Sequence, residues 1–254
     1  MAKKIIIGNW KMNPLTSKEA EKLFTGVNKE ISGVKKTEIV ICSPFLYLND
    51  LKKISKKISL GAQNAFAGDI GAYTGEVSTE MLYNLGVRYV ILGHSERRAM
   101  GEKNTDINKK IKASLVAGLV PILCVGESMR DEEHSYFNLV KSQIDECLSG
   151  ISKSSISKII IAYEPIWAIS STVNRKDATS ADSLEMVIFI RKVLSDKFKG
   201  EASDTRIIYG GSVNEKDALD FLTNGGVDGL LVGRASLNAK KFNEIVKTCE
   251  ISSK

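Results

Sequence analysis

The chain has 254 residues, 43% of them hydrophobic and 26% charged, with four prolines, which is the composition of a folded protein and excludes a disordered or collagen-like one. No stretch approaches the ~20 apolar residues that crossing a bilayer needs, and the run Ile5-Ile6-Ile7 stops at Gly8-Asn9, too early for a signal peptide. The net charge of +6 is spread over amphipathic segments such as Lys52-Lys53 and Lys56-Lys57 rather than gathered into a basic stripe with aromatics. No nucleic-acid or membrane partner is therefore expected, although a positive field favours the approach of an anionic substrate.

Short β-branched runs at 5–8, 38–42, 58–62, 89–92, 120–125, 158–162, 206–209 and 229–232 predict eight strands. Several are apolar without alternation, as parallel strands covered on both faces are. Helical patterns lie between them. Thr16 and Glu19 have capping-box spacing, and Ala20, Leu23, Phe24, Val27 and Ile31 then share one stripe. Phe137, Val140, Ile144, Cys147 and Leu148 repeat that spacing, as do Leu184, Val187, Ile188 and Arg191. Asn214 is placed to cap a helix carrying Ala218, Leu219 and Leu222. The four cysteines, Cys42, Cys124, Cys147 and Cys249, show no metal-ligand or redox spacing and are expected to be reduced, mostly buried thiols of a cytoplasmic protein.

Eight strands alternating with helices over this length is the size of one (β/α)8 barrel spanning 1–254, with eight parallel strands inside an outer ring of helices. An open doubly wound sheet has a similar pattern, and periodicity separates the two poorly. The residues that follow the strands separate them better. In a barrel those positions share one rim, and here they are Asn9, Lys11, His94, Glu96, Glu164, Gly210-Gly211-Ser212 and Gly233-Arg234.

Each has a plainer reading when taken alone: a salt-bridged glutamate, a structural histidine, a solvated lysine, a glycine turn. Together they make a base, an electrophile, a cation and two anion cradles. Glu164, between an apolar strand and Pro165-Ile166-Trp167, is partly desolvated and suited to proton abstraction. His94, where a strand gives way to a helix, is suited to donate a hydrogen bond to a developing oxyanion. Backbone N–H groups after the seventh and eighth strands are where barrels often hold phosphate.

With these residues in place the chain resembles the triosephosphate isomerase family. The resemblance runs through Gly-Asn-Trp-Lys (8–11), Ala-Gln-Asn (62–64), Gly-Ala-Tyr-Thr-Gly-Glu (71–76), Gly-His-Ser-Glu-Arg-Arg (93–98), Cys-Val-Gly-Glu (124–127), Ala-Tyr-Glu-Pro-Ile-Trp-Ala-Ile (162–169) and Tyr-Gly-Gly-Ser-Val (209–213). It implies a TIM barrel that interconverts two triose phosphates in glycolysis and gluconeogenesis, without metal or cofactor. By motif, Glu164 would be the base, His94 the neutral electrophile and Lys11 the stabilising cation. Asn9 would bond near the reacting oxygens, with Glu96 close behind. Ser170, Ser212, Gly233 and Arg234 would hold phosphate. The loop from Gln63 to Glu76 would join two copies as a homodimer, with Thr74 steadying the partner's site.

Two departures stand out. The family's Gly-Thr-Gly-Lys lid run is replaced by Ser170-Ser171-Thr172-Val173-Asn174-Arg175-Lys176-Asp177, and the usual second glycine after the eighth strand is Arg234. A weaker grip on phosphate is the expectation they raise. The alternative function is a phosphate-binding barrel that has lost turnover and serves as a binding protein. A barrel isomerase for a larger sugar phosphate is a third reading.

Overall fold

Apolar β-branched runs four to six residues long can bury both faces only if each is paired on both edges and roofed on both sides. The computed structural model, which describes residues 3–169 and 176–253, meets that condition with a closed barrel. Its strands are β1 (Lys4–Asn9), β2 (Thr37–Ser43), β3 (Ser59–Ala62), β4 (Tyr89–Leu92), β5 (Val120–Val125), β6 (Ile160–Tyr163), β7 (Arg206–Tyr209) and β8 (Gly229–Val232). All neighbours are parallel, and β1 closes on β8 with Ile6 beside Leu230. The barrel expected from the sequence is what forms, and the open sheet is excluded.

Alternation along each strand splits the core in two. Ile5, Ile7, Val40, Ile91, Ile122, Ile160, Ile208 and Leu231 point into the barrel. Ile6, Ile41, Leu60, Val90, Leu123, Ile161, Ile207 and Leu230 point outward, under the helices. Those helices, among the described residues, are α1 (Ser17–Glu30), α2 (Phe45–Ile54), α3 (Thr79–Leu85), α4 (Ser95–Ala99), α5 (Asn104–Ala117), α6 (Tyr136–Cys147), α7 (Ser180–Phe198), α8 (Ala218–Asn224) and α9 (Ala239–Ser252). No described helix is long and apolar enough to cross a membrane. All four cysteines are buried and free, as expected.

Thr16 caps α1 through a full capping box, and the stripe Ala20, Phe24, Val27 is buried. Three expectations need correction. The sixth strand begins at Ile160 rather than 158, because Lys153–Lys158 wind into a 3-10 turn that buries Ile156. In α7 the expected stripe is offset: Ser183, Met186, Val187, Ile190, Val193, Leu194 and Phe198 face the core, while Leu184 and Ile188 are 39% and 60% exposed. That helix is apolar on more than one side, so a short window could not choose the buried face. Asn214 caps the turn before α8 rather than α8 itself, its Oδ1 accepting from Lys216 N at 2.8 Å.

Candidate active site

Parallel strands in a closed barrel deliver their C-terminal ends to one rim, and the residues just beyond β1, β4, β6, β7 and β8 meet there. A cavity of about 440 Å³ is lined by Asn9, Lys11, His94, Glu164, Ile169, the 210–213 turn, Leu231, Gly233 and Arg234. Seven residues expected at the site, Asn9, Lys11, His94, Glu164, Ser212, Gly233 and Arg234, therefore share one wall. Glu96 does not line this cavity; it reaches it by pairing with the Lys11 ammonium, and itself lines the neighbouring hollow. Ser170 lies outside the described residues.

Lys11 owes its place to an unusual backbone. Its φ of 53° is in the left-handed region, which residues with a Cβ rarely occupy. Two bonds hold it there: its N–H donates to Asn9 Oδ1 at 3.0 Å, and its carbonyl accepts from Gln63 Nε2 at 2.9 Å. The same Gln63 amide donates to Cys42 O at 2.9 Å, tying the exits of three strands together.

His94 is buried and caps α4, its Nδ1 accepting from the Glu96 N–H at 3.2 Å. A backbone N–H can only donate, so Nδ1 carries a lone pair and, in the neutral ring, the proton sits on Nε2. Nε2 lies 3.2 Å from Glu164 Oε1. The contact is ion-pair close without hydrogen-bond alignment, and among the described residues that buried oxygen has no hydrogen-bond donor.

Glu164 is held at its root by backbone bonds and at its tip by a single one. Its N–H donates to Val125 O at 2.8 Å, and the Gly210 N–H donates to Tyr163 O at 2.7 Å beside it. Gly126 has to be glycine, since a Cβ there would stand 1.9 Å from the Glu164 carbonyl oxygen. At the tip, Oε2 accepts from the Ser95 N–H at 3.1 Å. Below it, burial and then the Glu164 charge push the Cys124 thiol well above its usual pKa, so that sulfur stays protonated. The arrangement can remove a proton from a carbon next to a carbonyl and hold an anionic group close by.

Sequence reasoning missed Gln63 as a brace for Lys11 and Ser95 as the donor to Glu164: the Gln63 amide bonds two backbone carbonyls and Ser95 acts through its backbone N–H, and spacing reveals neither backbone contact. It also singled out Glu127 only as part of a motif, although that carboxylate is fully buried behind Glu164.

A family model described as triosephosphate isomerase matches residues 4–249. The chain is 43% identical over 251 residues to the triosephosphate isomerase of Alkaliphilus metalliredigens, covering 97% of this chain and 99% of that one. It is 46% identical over 248 residues to one from Dehalococcoides mccartyi, covering 96% of each. It is 44% identical over 253 residues to that of Dictyoglomus thermophilum, covering 98% of this chain and all of the other, 100%.

Proposed function

The chain belongs to the triosephosphate isomerase family and is an isomerase; from that premise we propose that it interconverts dihydroxyacetone phosphate and glyceraldehyde 3-phosphate by proton transfer. One observation carries the reading: a buried carboxylate, an imidazole Nε2–H and a lysine face a single small cavity that is backed by two glycine-containing turns. In this scheme phosphate rests on backbone N–H groups at Ser212, Gly233 and Arg234, with Ser170 contributing from outside the described residues. The carbonyl oxygen faces His94 Nε2 and Lys11.

Glu164 takes the proton from the carbon beside the carbonyl, and the electron pair left behind forms an enediolate. His94 donates to the oxygen on which charge develops, an effect worth ~10²–10³ in rate for one well-placed donor. By way of His94 the hydroxyl proton on the first carbon's oxygen passes to the former carbonyl oxygen, and Glu164 returns its proton to the neighbouring carbon, which turns ketose into aldose. Asn9 steadies the reacting oxygens. Glu96 shares the Lys11 ammonium and sets where that charge stands.

The active form in this reading is a cytoplasmic homodimer of a single-domain barrel, acting in glycolysis and gluconeogenesis. Support comes from the loop after β3. Residues 69–76 are all exposed and carry Ile70 at 97% and Tyr73 at 51% exposure, with Phe66 and Tyr73 rings 4.7 Å apart. Beside the candidate site lies a second hollow of about 1060 Å³ lined by Met12, Phe45, Leu46 and Met100 together with Asn9, Lys11, His94 and Glu96. An apolar loop and an apolar hollow on one surface fit two copies that exchange loops. Thr74, on that loop, would then reach the partner's Asn9 or His94. A coupled spectrophotometric assay with glyceraldehyde 3-phosphate tests the function: absence of turnover would leave a phosphate-binding barrel.

A further inference from the structure

The motif at 124–127 ends in a glutamate that the reaction scheme does not use. Glu127 follows β5 and is wholly buried behind the turn that carries Glu164. Its Oε1 accepts from Tyr163 OH at 2.8 Å, from Trp167 Nε1 at 2.8 Å and from Arg130 Nε at 3.2 Å. Its carbonyl accepts from the Ile166 N–H at 2.9 Å. Tyr163 and Trp167 flank Glu164 in the chain, so Glu127 grips the base-bearing turn on both sides. A buried carboxylate is costly without a counter-charge, and Arg130 supplies it.

The rest of the Arg130 guanidinium is spent elsewhere. Nη1 donates to Asp182 Oδ1 and to Glu185 Oε2, each at 2.9 Å. Nη2 donates to the Asp182 carbonyl at 3.1 Å and to Tyr163 OH at 3.3 Å. Its plane also lies against two rings, with the guanidinium carbon 5.4 Å from the centre of Trp167 and 5.0 Å from that of Tyr136. Asp182 in turn closes the capping box of α7, accepting from Thr179 N at 2.8 Å and Thr179 Oγ1 at 2.6 Å. One side chain thus bridges the turn where the chain leaves β6, at Trp167, and the point where it re-enters α7, at Thr179.

We propose that Arg130 is a positioning residue for the isomerase reaction: it locks the Glu164-bearing turn to the start of α7, so that the base keeps its root while its carboxylate moves. The inference rests on the isomerase reading of the site. Arginine is suited to this because its planar fork presents five donors in fixed directions, whereas a lysine offers three from one point. A lysine at 130 keeps the positive charge beside Glu127 but cannot hold Glu127 and Asp182 together.

The test uses the full-length wild-type chain and the variants Arg130→Lys, Asp182→Asn and their combination, in the glyceraldehyde 3-phosphate assay with thermal melts alongside. Asparagine at 182 retains a capping oxygen for α7, which keeps that arm interpretable if Arg130→Lys folds poorly. The expected result is a loss of kcat of about 10-fold or more in each single variant, with KM within about threefold of wild type. The double variant should lose little more than either single one, because both break the same bridge. Unchanged kcat, a change confined to KM, or additive losses would each overturn the proposal. A wild-type chain without turnover would instead remove the isomerase reading, and that is seen before any variant is measured.

Discussion

His94 Nε2 and Glu164 Oε1 stand 3.2 Å apart, which leaves no room for a carbon atom between them. A carbon in contact with both needs about 3.5 Å on each side. A carbon can therefore lie between them only if the two side chains separate, and the bond that holds the carboxylate in its present place is the one Oε2 accepts from the Ser95 N–H. The root of Glu164 is anchored by backbone bonds, so the length of its side chain sets how far the carboxylate travels.

Glu164→Asp is accordingly expected to lower kcat by ~10²–10³ while KM changes less than about threefold, since proton abstraction is intolerant of displacements near ~1 Å. Steady-state kinetics with glyceraldehyde 3-phosphate check this. A variant with near wild-type kcat would rule Glu164 out as the base.

The bond from the Glu96 N–H to His94 Nδ1 assigns the ring proton to Nε2, on the cavity side. Nitrogen-15 spectra of the imidazole should show a protonated Nε2 and a bare Nδ1 near neutral pH. Replacing the ring, as in His94→Gln, is expected to cost ~10²–10³ in kcat, the scale for one oxyanion donor. The reverse tautomer would remove the proposed electrophile.

Glu250, on the last helix, clasps the loop that leads into β2. Burial raises its carboxyl pKa, but the N–H groups of Lys35, Lys36 and Thr37, bonded at 2.9–3.0 Å, outweigh that and bring the net below the usual value. A pKa lowered by folding contributes stability that is complete above the unfolded value of about 4.3 and is lost as pH falls through the lower folded value. Glu250→Gln is expected to lower Tm at pH 7 by about 2–6 °C, from roughly 1–2 kcal/mol of charge-assisted bonding. Melts across pH should show the gap between the two proteins closing below about pH 4. A gap independent of pH would mean that the carboxylate charge is not what binds the loop.

Much of the fold was legible because period and turn chemistry agree along the chain. The fourth, fifth, seventh and eighth strands begin and end where their β-branched runs do. Rim residues were legible for the same reason: once strand ends are known, a barrel makes Asn9, His94, Glu164 and Ser212 neighbours across more than two hundred positions of sequence. The buried face of α7 was not, since Leu184 and Ile188 are as apolar as the residues that face inward. Nor was Arg130, which reads as one charge in a polar loop until folding surrounds it with Glu127, Asp182 and Glu185. Backbone donors such as the Ser95 N–H leave no mark on composition.

The exposed loop at 69–76 gives a clean handle on association. Ile70 is 97% exposed, so Ile70→Asp costs the isolated barrel little. Wild type is expected to run as a dimer in light scattering, and a variant carrying Ile70→Asp with Tyr73→Glu as a monomer with kcat lowered about 10-fold or more. A fully active wild-type monomer at assay concentration would count against the exchanged-loop dimer.

If Glu164 moves a proton between adjacent carbons of a triose phosphate, turnover in deuterium oxide registers that step itself. Glyceraldehyde 3-phosphate converted by the wild-type chain is expected to give dihydroxyacetone phosphate carrying solvent deuterium on the carbon that received the proton. Both conversion and label should collapse in Glu164→Gln, whose side chain cannot act as a base. Conversion that persists in that variant, or a wild-type chain that yields no dihydroxyacetone phosphate, would contradict the claim.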